Sequence, residues 1–333
     1  MLKVSLIVPV YNAEPFLART LESIITSPAF DKLEVLLIND GSKDCSGQIA
    51  DEYAQKYDNI FAYHQPNGGV SSARNYGIRC ATTQNVMFLD SDDILECGIS
   101  DLIESADRAD LAVAGFRTAK FVNSTLMPLS NVIPDLMYAT TTEEIRDLYF
   151  SNFQNKLFLT SCGKIYKKQI LDKHGLQFNS NQIIGEDGNF VQEYIRHCKT
   201  VICINNYAFS YMVDASASAT KKVNTKHFTD MKFLHSRLLD FASIFNATPN
   251  QHEIISNYYY RSCCFFVEGI QGYFSGKDYI KQIISDKTVC ELNKTKYSSK
   301  ENTIYALVFG LGNGYLLYLF CKLRKVLKRL MTS

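Results

Sequence analysis

Apolar runs of strand length alternate with amphipathic stretches along the first third of the chain. The runs at 4–10, 33–40, 60–65, 85–90 and 110–116 are rich in Val, Ile, Leu and Phe and predict five strands. Between them, apolar residues recur every three or four positions, which predicts helices. Nearly continuous apolar strands separated by helices indicate an α/β fold, with a mostly parallel twisted sheet flanked by helices.

The first predicted helix directly follows the first strand. Asn12 is expected to cap this helix, and Pro15 falls in its first turn, where a missing amide hydrogen removes no helical hydrogen bond. Leu17, Leu21 and Ile24 recur at helical spacing and would form its buried face. The first strand and helix together therefore predict a βα unit at the start of the sheet.

The remainder of the chain is less regular. Residues 117–160 show no clear period, and residues 164–205 mix helix and strand signals. From about residue 225 the pattern is mainly helical. We therefore expect two parts, an α/β domain at 1–220 and a helical C-terminal region at 221–333.

Composition and cysteine spacing narrow the class of protein. The 333 residues carry a net charge of about +1, so nothing in the composition indicates a nucleic-acid partner. The ten cysteines include no CxxC pair, which argues against a zinc site. Met1 leads directly into the first strand without a signal peptide, so we expect reduced thiols and a cytoplasmic location.

The C-terminal end has a different character. Residues 304–321 carry no charge, and residues 322–330 then carry five basic side chains. A basic and apolar tail is typical of a helix that lies on a membrane surface containing anionic lipid. The alternative is a helical hairpin that packs on the rest of the protein. The first interpretation predicts peripheral association with the inner face of the cell membrane.

Polar clusters follow three of the predicted strands, at residues 11–12, 39–42 and 90–93. Ligands of parallel α/β sheets bind beyond the carboxyl ends of the strands. In the third cluster, Asp90, Asp92 and Asp93 place three carboxylates within four residues, which repel one another unless a positive group is present. Mn²⁺ or Mg²⁺ bound with substrate phosphates would supply that charge. The alternative is a solvated acidic turn in which Asp93 caps a helix.

Five segments carry a resemblance to a known family. They read VSLIVPVYNAEPFLARTLESI, LEVLLINDGSKDCS, NGGVSSARNYGI, MFLDSDD and GEDGNF. In order and spacing the chain resembles the family 2 glycosyltransferases over about residues 3–215. The resemblance implies a GT-A-type fold and an inverting transfer of a sugar from a nucleotide-sugar donor, usually a UDP-sugar, with a divalent cation as cofactor.

The resemblance assigns the nucleotide pocket to the first two strand ends. Pro9, Tyr11 and Glu14 would line this pocket, and Asp40 would accept a hydrogen bond from the base. Many members of the family have two aspartates at the second position, whereas this chain has Asn39 before Asp40. The role of Asn39 is therefore the less certain of the two.

The loop and helix that approach the donor would contain Gly69 and Arg74, followed by Asn75. Arg74 would pair with phosphate or, alternatively, form a structural ion pair with an aspartate. Both readings stay open. Asp90 and Ser91 would contact the ribose or sugar of the donor.

The resemblance assigns the remaining chemistry to carboxylates. Asp92 would be the principal metal ligand, with Asp93 orienting it or Asp90. Glu186 and Asp187 match the family's acceptor-side acidic pair. Inverting transfer needs a base for the acceptor hydroxyl, and Asp187 would serve, with Glu186 contacting the acceptor. The alternative is that Asp187 caps the following helix.

Two departures from the family pattern affect the prediction. No basic residue directly follows Tyr211, where many members of the family have one. Lys221, Lys222 or His227 could take over its role, and the alternative is that each of them is a solvated surface residue. The chain contains no Trp and therefore lacks the QxxRW motif of processive synthases. A single addition is the expected reaction.

The predicted function is therefore the transfer of one hexosyl or N-acetylhexosaminyl group to a saccharide acceptor. The basic and apolar tail indicates a lipid-linked acceptor, in the synthesis of a cell-surface polysaccharide. Two alternatives are another nucleotide-sugar enzyme, such as a nucleotidylyltransferase, and a non-catalytic nucleotide-sugar binder. The first usually has a glycine-rich basic loop that is missing after the first strand, and the second would not need Asp92 or Asp187. No pattern in the sequence defines an oligomeric state.

Overall fold

Strands and helices alternate at the start of the chain in the predicted order. The computed structural model describes residues 2–123, 125–213, 225–270 and 272–332. Contacts divide the chain into two units, Met1–Ala217 and Ser218–Ser333. The strands of the first unit are β1 Val4–Val10, β2 Leu33–Asn39, β3 Ile60–His64, β4 Asn85–Phe88, β5 Ile94–Leu95, β6 Leu111–Val122, β7 Thr125–Val132, β8 Met137–Ala139, β9 Lys164–Lys167 and β10 Val201–Met212. Its helices are α1 Glu14–Ile25, α2 Ser46–Lys56, α3 Val70–Cys80, α4 Ile99–Ala106, α5 Thr142–Ser151, α6 Lys168–His174 and α7 Glu186–Ile195.

One sheet contains all of these strands, in the order β3-β2-β1-β4-β9-β6-β10-β5, with β7 on β6 and β8 on β10. Strands β3, β2, β1 and β4 are parallel to their neighbours. Strand β9 runs antiparallel between β4 and β6, and β6 is parallel to β10. The predicted α/β fold is confirmed, but the sheet is mixed and not mostly parallel: β3, β2, β1 and β4 form one parallel group, and β6 and β10 form a second parallel pair. The antiparallel strands β7 and β8 fall within residues 117–160, where the sequence showed no clear period, and β9 falls within residues 164–205, where helix and strand signals were mixed.

The sheet brings the polar clusters to one edge. Every residue of β1 and β2 is buried, which explains why these strands read as continuous apolar runs. Val10 pairs with Asn39, and Ile7 pairs with Phe88, so the carboxyl ends of β1, β2 and β4 lie side by side. The loops that follow these strands therefore share one region of the surface.

The prediction that Asn12 caps α1 is wrong. Ala13 occupies the cap position, and Asn12 has a left-handed backbone with φ 47°, a conformation that asparagine tolerates well. The Asn12 side chain instead accepts a 2.8 Å hydrogen bond from the amide of Lys43. In return, Ser42 Oγ accepts from the Asn12 amide at 3.1 Å. Asn12 thus links the loop after β1 to the loop after β2.

The second unit is helical over its described residues, as the sequence predicted from about residue 225. Its helices are α8 Thr225–Ile244, α9 Pro249–Gly269, α10 Tyr273–Ile284, α11 Lys287–Leu292, α12 Lys300–Gly310 and α13 Gly314–Thr332. Helix α9 starts with a capping box between Thr248 and Gln251. Tyr259, Tyr260 and Cys263 of this helix are fully buried, so the aromatic run belongs to the core of the unit.

The uncharged C-terminal stretch forms a helical hairpin. It divides between α12 and α13, and Gly312 takes the left-handed conformation at the break, with φ 63°. Helix α13 packs on α9, α10 and α12. Within the described ranges of the chain, no helix combines the length and the apolar character needed to cross a membrane. The hairpin that the sequence left open as an alternative is therefore the observed arrangement.

Candidate active site

Helix α1 holds the loop at residues 90–93 through hydrogen bonds to the loop's backbone carbonyls. From α1, Thr20 Oγ1 donates to the carbonyl of Ser91 at 2.9 Å, and Arg19 Nη2 donates to the carbonyl of Asp92 at 3.1 Å. Because these bonds go to peptide oxygens, they do not occupy the loop's carboxylates.

The charges of two of these carboxylates, Asp92 and Asp93, are poorly compensated by neighbouring groups. Asp92 has no ion-pair partner within the part of the chain that the structure describes, and burial together with Asp90 raises its pKa to about 6. Asp93 is buried and accepts a 2.9 Å hydrogen bond from the amide of Met212. Burial, Asp90 and Asp92 raise the pKa of Asp93 well above its usual range. Asp93 therefore ties the loop to the end of β10 and does not cap a helix.

The residues of this loop fit a divalent cation. Asp90 is paired with Arg74, but Asp92 and Asp93 have no ion-pair partner among the described residues, and Asp93 Oδ2 is buried there without a hydrogen-bond partner. The described residues include no group of three or more His, Cys, Asp or Glu side chains placed to hold a metal. Magnesium sites of phosphate-transfer enzymes often use one or two carboxylates and complete their shell with phosphate oxygens and water. Asp92 fits that partial role.

Arg74 lies at the centre of the site on α3 and is 3% exposed. Its Nη2 donates to Asp90 Oδ1 at 2.8 Å, and its Nη1 donates to Asp187 Oδ1 at 2.7 Å. Glu186 Oε1 lies 3.8 Å from the same Nη1. Although burial opposes it, Asp187 and Asp90 raise the pKa of Arg74. Arg74 thus forms an ion pair with two aspartates, and its contact with a donor phosphate stays a prediction.

The acidic pair opens helix α7. Gly185 precedes the helix in a left-handed conformation with φ 76°, so Asp187 lies in the first turn and is not the cap. Ser161 holds the Asp187 carboxylate, with its hydroxyl donating to Oδ1 at 3.1 Å and its amide donating to Oδ2 at 3.3 Å. Burial, followed by the charge of Asp187, raises the pKa of Glu186 to about 8. Sequence reasoning missed Ser161 because no motif contains it.

Asp40 organises the loop that leads into α3. Its Oδ1 accepts from Gln65 Nε2 at 2.6 Å and from the Gly68 amide at 2.8 Å. Its Oδ2 accepts from the Gly69 amide at 2.8 Å. Gly69 has φ +85°, where a side chain would be strained. The contact of Asp40 with a nucleotide base stays a prediction, and Gln65 is a further residue that the sequence did not indicate.

The remaining residues assigned to the donor differ in accessibility. Pro9 is buried in β1 opposite Ile38, whereas Tyr11 is 47% exposed directly after the strand. Glu14 is exposed, and its Oε2 accepts a 3.0 Å hydrogen bond from the amide of Cys45. These residues therefore follow the first strand toward the same edge as the aspartates, with only part of their surface available to a ligand.

Asn39 and Asn75 have structural partners. The Asn39 amide nitrogen lies 2.9 Å from His64 Nδ1, and its oxygen accepts from the amide of Ser42 at 3.1 Å. The Asn75 side chain makes two hydrogen bonds, of 2.9 and 2.8 Å, with the backbone of Phe178. Both asparagines thus hold neighbouring backbone or side chains in place.

The three residues considered as substitutes for the missing basic residue after Tyr211 differ in whether the structure describes them. Lys221 and Lys222 lie outside the described residues, as do the serines of residues 216–218. His227 is 4% exposed, so the expectation of a solvated surface residue is wrong for this histidine. It lies near the start of helix α8, which packs on α9.

The family described as glycosyl transferase family 2 matches residues 5–175, about half of the chain. The protein therefore belongs to this family of glycosyltransferases.

Individual relatives agree with this assignment. The chain is 32% identical over 221 residues to glycosyltransferase GlyA of Streptococcus pneumoniae, a match that covers 63% of this chain and 30% of GlyA. It is 27% identical over 319 residues to the cholesterol galactosyltransferase of Borreliella burgdorferi, covering 92% of this chain and 84% of that protein. The chain thus spans only about a third of GlyA but most of the second relative.

The fold is similar to that of a solved structure, S. aureus TarS 1-349 in complex with UDP-GlcNAc. The TM-score is 0.60 at 17% identity, and the match covers 96% of this chain and 90% of that chain. At this low identity the likeness shows the fold alone. It confirms the GT-A-type architecture that the sequence motifs implied.

Proposed function

We propose that the protein is an inverting glycosyltransferase that moves one sugar from a UDP-sugar to a saccharide acceptor. The observation that carries the proposal is the position of Arg74, which donates to Asp90 of the loop after β4 and to Asp187 of the acidic pair. The same guanidinium therefore fixes the proposed donor side against the proposed acceptor side. A transferase needs such a fixed arrangement, because small misplacements of reacting groups are costly.

The donor half of the proposed site uses the three strand ends. Asp92 would hold Mn²⁺ or Mg²⁺ together with diphosphate oxygens, and its uncompensated charge supports this role. When bound, the cation would neutralise the charge that develops on the leaving diphosphate. The residues proposed to line the nucleotide and sugar are Pro9, Tyr11, Glu14, Asp40, Gly69, Asp90 and Ser91. UDP is proposed because TarS, with a similar fold, is described in complex with UDP and with UDP-GlcNAc.

The acceptor half of the proposed site uses the acidic pair. Asp187 would take the proton of the acceptor hydroxyl as that oxygen attacks the anomeric carbon and the bond to the diphosphate breaks. Arg74 and Ser161 hold its carboxylate from two sides, which would orient the base. Glu186 is 3.8 Å from Arg74 and would contact the acceptor. Attack from the side opposite the leaving group accounts for inversion.

The proposed acceptor is a lipid-linked saccharide of a surface polysaccharide, and the transferred group is a hexosyl or N-acetylhexosaminyl residue. Transfer of a hexosyl group is supported by a relative named poly(ribitol-phosphate) beta-glucosyltransferase, from Bacillus spizizenii, at 26% identity over 220 residues. An acceptor of this kind would be reached at a membrane surface.

The outer face of the α12–α13 hairpin supports peripheral membrane association at the inner face of the cell membrane. Large apolar side chains recur on it at helical spacing and are 45–67% exposed. They are Ile304, Leu307, Leu311, Tyr315, Leu316, Leu319, Leu323, Val326 and Leu327. A large number of exposed apolar side chains on two neighbouring helices is typical of an interaction site.

The described basic residues of the tail have partners inside their own unit. Lys322 Nζ donates to the carbonyls of Glu268 and Ile270 at 3.0 and 2.7 Å, and Arg324 Nη1 donates to Glu268 Oε1 at 2.6 Å. These cations therefore neutralise the C-terminal end of α9. The side chains of Lys328 and Arg329 lie outside the described part of the structure. We accordingly assign the main membrane contact to the apolar face.

The experiment that tests the donor site is calorimetric titration with UDP, first with Mn²⁺ and then with EDTA. We compare wild type, Asp92→Ala and Asp107→Ala, the last being an exposed carboxylate paired with Lys3 at 3.6 Å and serving as the matched control. We expect metal-dependent UDP binding in wild type and the control, and its loss in Asp92→Ala. Binding of GDP or CDP in place of UDP would overturn the donor, and absence of binding for every nucleotide would overturn the transferase proposal.

A further inference from the structure

Strand β9 carries a lysine in an unusual environment. The Lys164 side chain is completely buried, and it has no ion-pair partner within the described residues. Burial lowers its pKa to about 8. A buried ammonium is costly unless all of its donors are satisfied. The presence of a buried lysine at this position is therefore explained by the groups that its ammonium binds.

The three donors of Lys164 all go to the turn just before β9. Its Nζ donates to the carbonyls of Leu157, Thr160 and Cys162 at 2.6, 2.7 and 3.2 Å. Tyr166 lies two residues along the same strand, on the same face, and its hydroxyl donates to the carbonyl of Ser161 at 2.9 Å. The three consecutive carbonyls of residues 160–162 are thus all anchored by two side chains of β9.

Because its carbonyl is anchored in this way, Ser161 presents its amide and its hydroxyl to Asp187. The Ser161 carbonyl is bound by Tyr166, while the Ser161 amide and hydroxyl both donate to Asp187. The carboxylate therefore lies between Ser161 on one side and Arg74 on the other. A chain of contacts runs from the Lys164 ammonium, through the peptide of Ser161, to the carboxylate.

We propose that Lys164 is a positioning residue that holds Ser161 against Asp187 and so fixes the orientation of this carboxylate during sugar transfer. The inference rests on the proposed role of Asp187 as the base. Lys164 does not contact the reacting atoms and acts through the turn at residues 157–162. The ammonium is suited to this role because a single group with three donors can bind three carbonyls that point inward.

The test compares Lys164→Met, Ser161→Ala and the double variant with wild type. Lys167→Met is the matched control, since Lys167 lies on the same strand but is only partly buried. Two quantities are measured: UDP affinity with Mn²⁺ by calorimetry, and the single-turnover rate of UDP release from a UDP-sugar that wild type hydrolyses. We expect Lys164→Met to slow release by about 10–100-fold with little change in UDP affinity.

The double variant separates positioning from general stabilisation. Ser161→Ala removes the hydroxyl and keeps the amide that donates to Asp187. If Lys164 acts through Ser161, the rate loss of the double variant should therefore be smaller than the product of the two single losses. Losses that multiply, or a wild-type rate in Lys164→Met, would overturn the inference. If Lys164→Met does not fold, Tyr166→Phe replaces it, because it removes the anchor of the Ser161 carbonyl in the same turn and keeps the ammonium.

One further variant keeps the inference distinct from the proposed function. Asp187→Asn is measured by the same rate assay. A wild-type rate in Asp187→Asn overturns the proposed base, and the inference falls with it. A strongly reduced rate in Asp187→Asn, together with an unchanged rate in both Lys164→Met and Tyr166→Phe, overturns the role of Lys164 alone.

Discussion

The buried guanidinium of Arg74 and the partly buried carboxylate of Asp187 form an ion pair, 2.7 Å from Nη1 to Oδ1, although 113 residues separate them along the chain. The second terminal nitrogen of Arg74 is committed to Asp90. A buried guanidinium is tolerable because both of its neighbours are anions, and removing one member of such a group leaves charges uncompensated. The stability of the site and its geometry therefore depend on the same three side chains.

We predict that Arg74→Met lowers the free energy of unfolding by about 1–3 kcal/mol, because it leaves two partly exposed carboxylates without their cation. Arg74→Lys should lie between this variant and wild type, since an ammonium keeps the charge but not the two-pronged geometry. Arg79→Met is the control, as Arg79 lies on the same helix and is exposed. Urea unfolding measures all three. Equal losses in Arg74→Met and Arg79→Met would show that the ion pairs contribute no net stability.

The N-terminal half of the fold was predictable because its strands are buried on both faces. Such strands appear in the sequence as short apolar runs, and β1 and β2 were found where those runs stand. The hairpin of β6 and β7 was not predictable. Strand β7 is mostly exposed and carries Pro128, which a sheet tolerates at an edge, so it shows neither alternation nor an apolar run.

The site was predictable where residues follow strand ends, because the register of a parallel sheet brings those ends together. Asp40 and Asp90 were located in this way. Ser161 and Gln65 were not, because their importance arises from contacts with residues 25 or more positions away. A serine or glutamine in a loop has no periodic or spacing signal that distinguishes it from a solvated residue.

Substitutions of the two members of the acidic pair should change different kinetic constants. Asp187→Asn is expected to lower kcat by about 10²–10⁴-fold with UDP affinity retained, because general-base assistance is lost. Glu186→Gln should mainly raise the KM for the acceptor. Rates of UDP release and calorimetric UDP affinities check both expectations. A larger fall in kcat for Glu186→Gln than for Asp187→Asn would transfer the role of base to Glu186.

The stability of the protein should carry a pH dependence from Glu186. Burial and Asp187 raise the pKa of Glu186 from 4.5 to about 8. Between these values the native state binds more protons than the unfolded state, so this residue makes stability fall as the pH rises through the window. Glu186→Gln removes the effect. The difference in Tm, variant minus wild type, should therefore increase as the pH rises from about 4.5 to 8. The increase is about 2–4 °C for each kcal/mol of stability that the wild type loses.

Thermal unfolding of both proteins at pH 4, 6 and 9 measures this difference. The glutamine variant also has a constant offset from its altered side chain, so the change in Tm difference with pH is the quantity that counts. A difference that stays the same from pH 4 to 9 contradicts the raised pKa. The metal-free protein is used, so that cation binding does not add its own pH dependence.

The apolar face of α12 and α13 should bind vesicles without strong dependence on charge. Leu307 and Leu311 are 67% and 58% exposed, and burying a leucine in lipid is worth about 1.5–3 kcal/mol. We predict that Leu307→Glu combined with Leu311→Glu weakens binding to phosphatidylcholine–phosphatidylglycerol vesicles by at least about 10-fold. Lys296→Glu is the charge-matched control, because it also changes the net charge by two units at an exposed position.

Vesicle co-sedimentation at low and high salt separates the two ways in which this tail could bind. Because Lys322 and Arg324 neutralise the end of α9, we expect high salt to weaken wild-type binding only slightly. Strong release by salt, with equal loss in Lys296→Glu and the double leucine variant, would assign binding to charge instead. Full binding by the double leucine variant would remove the hairpin face from the proposed membrane contact.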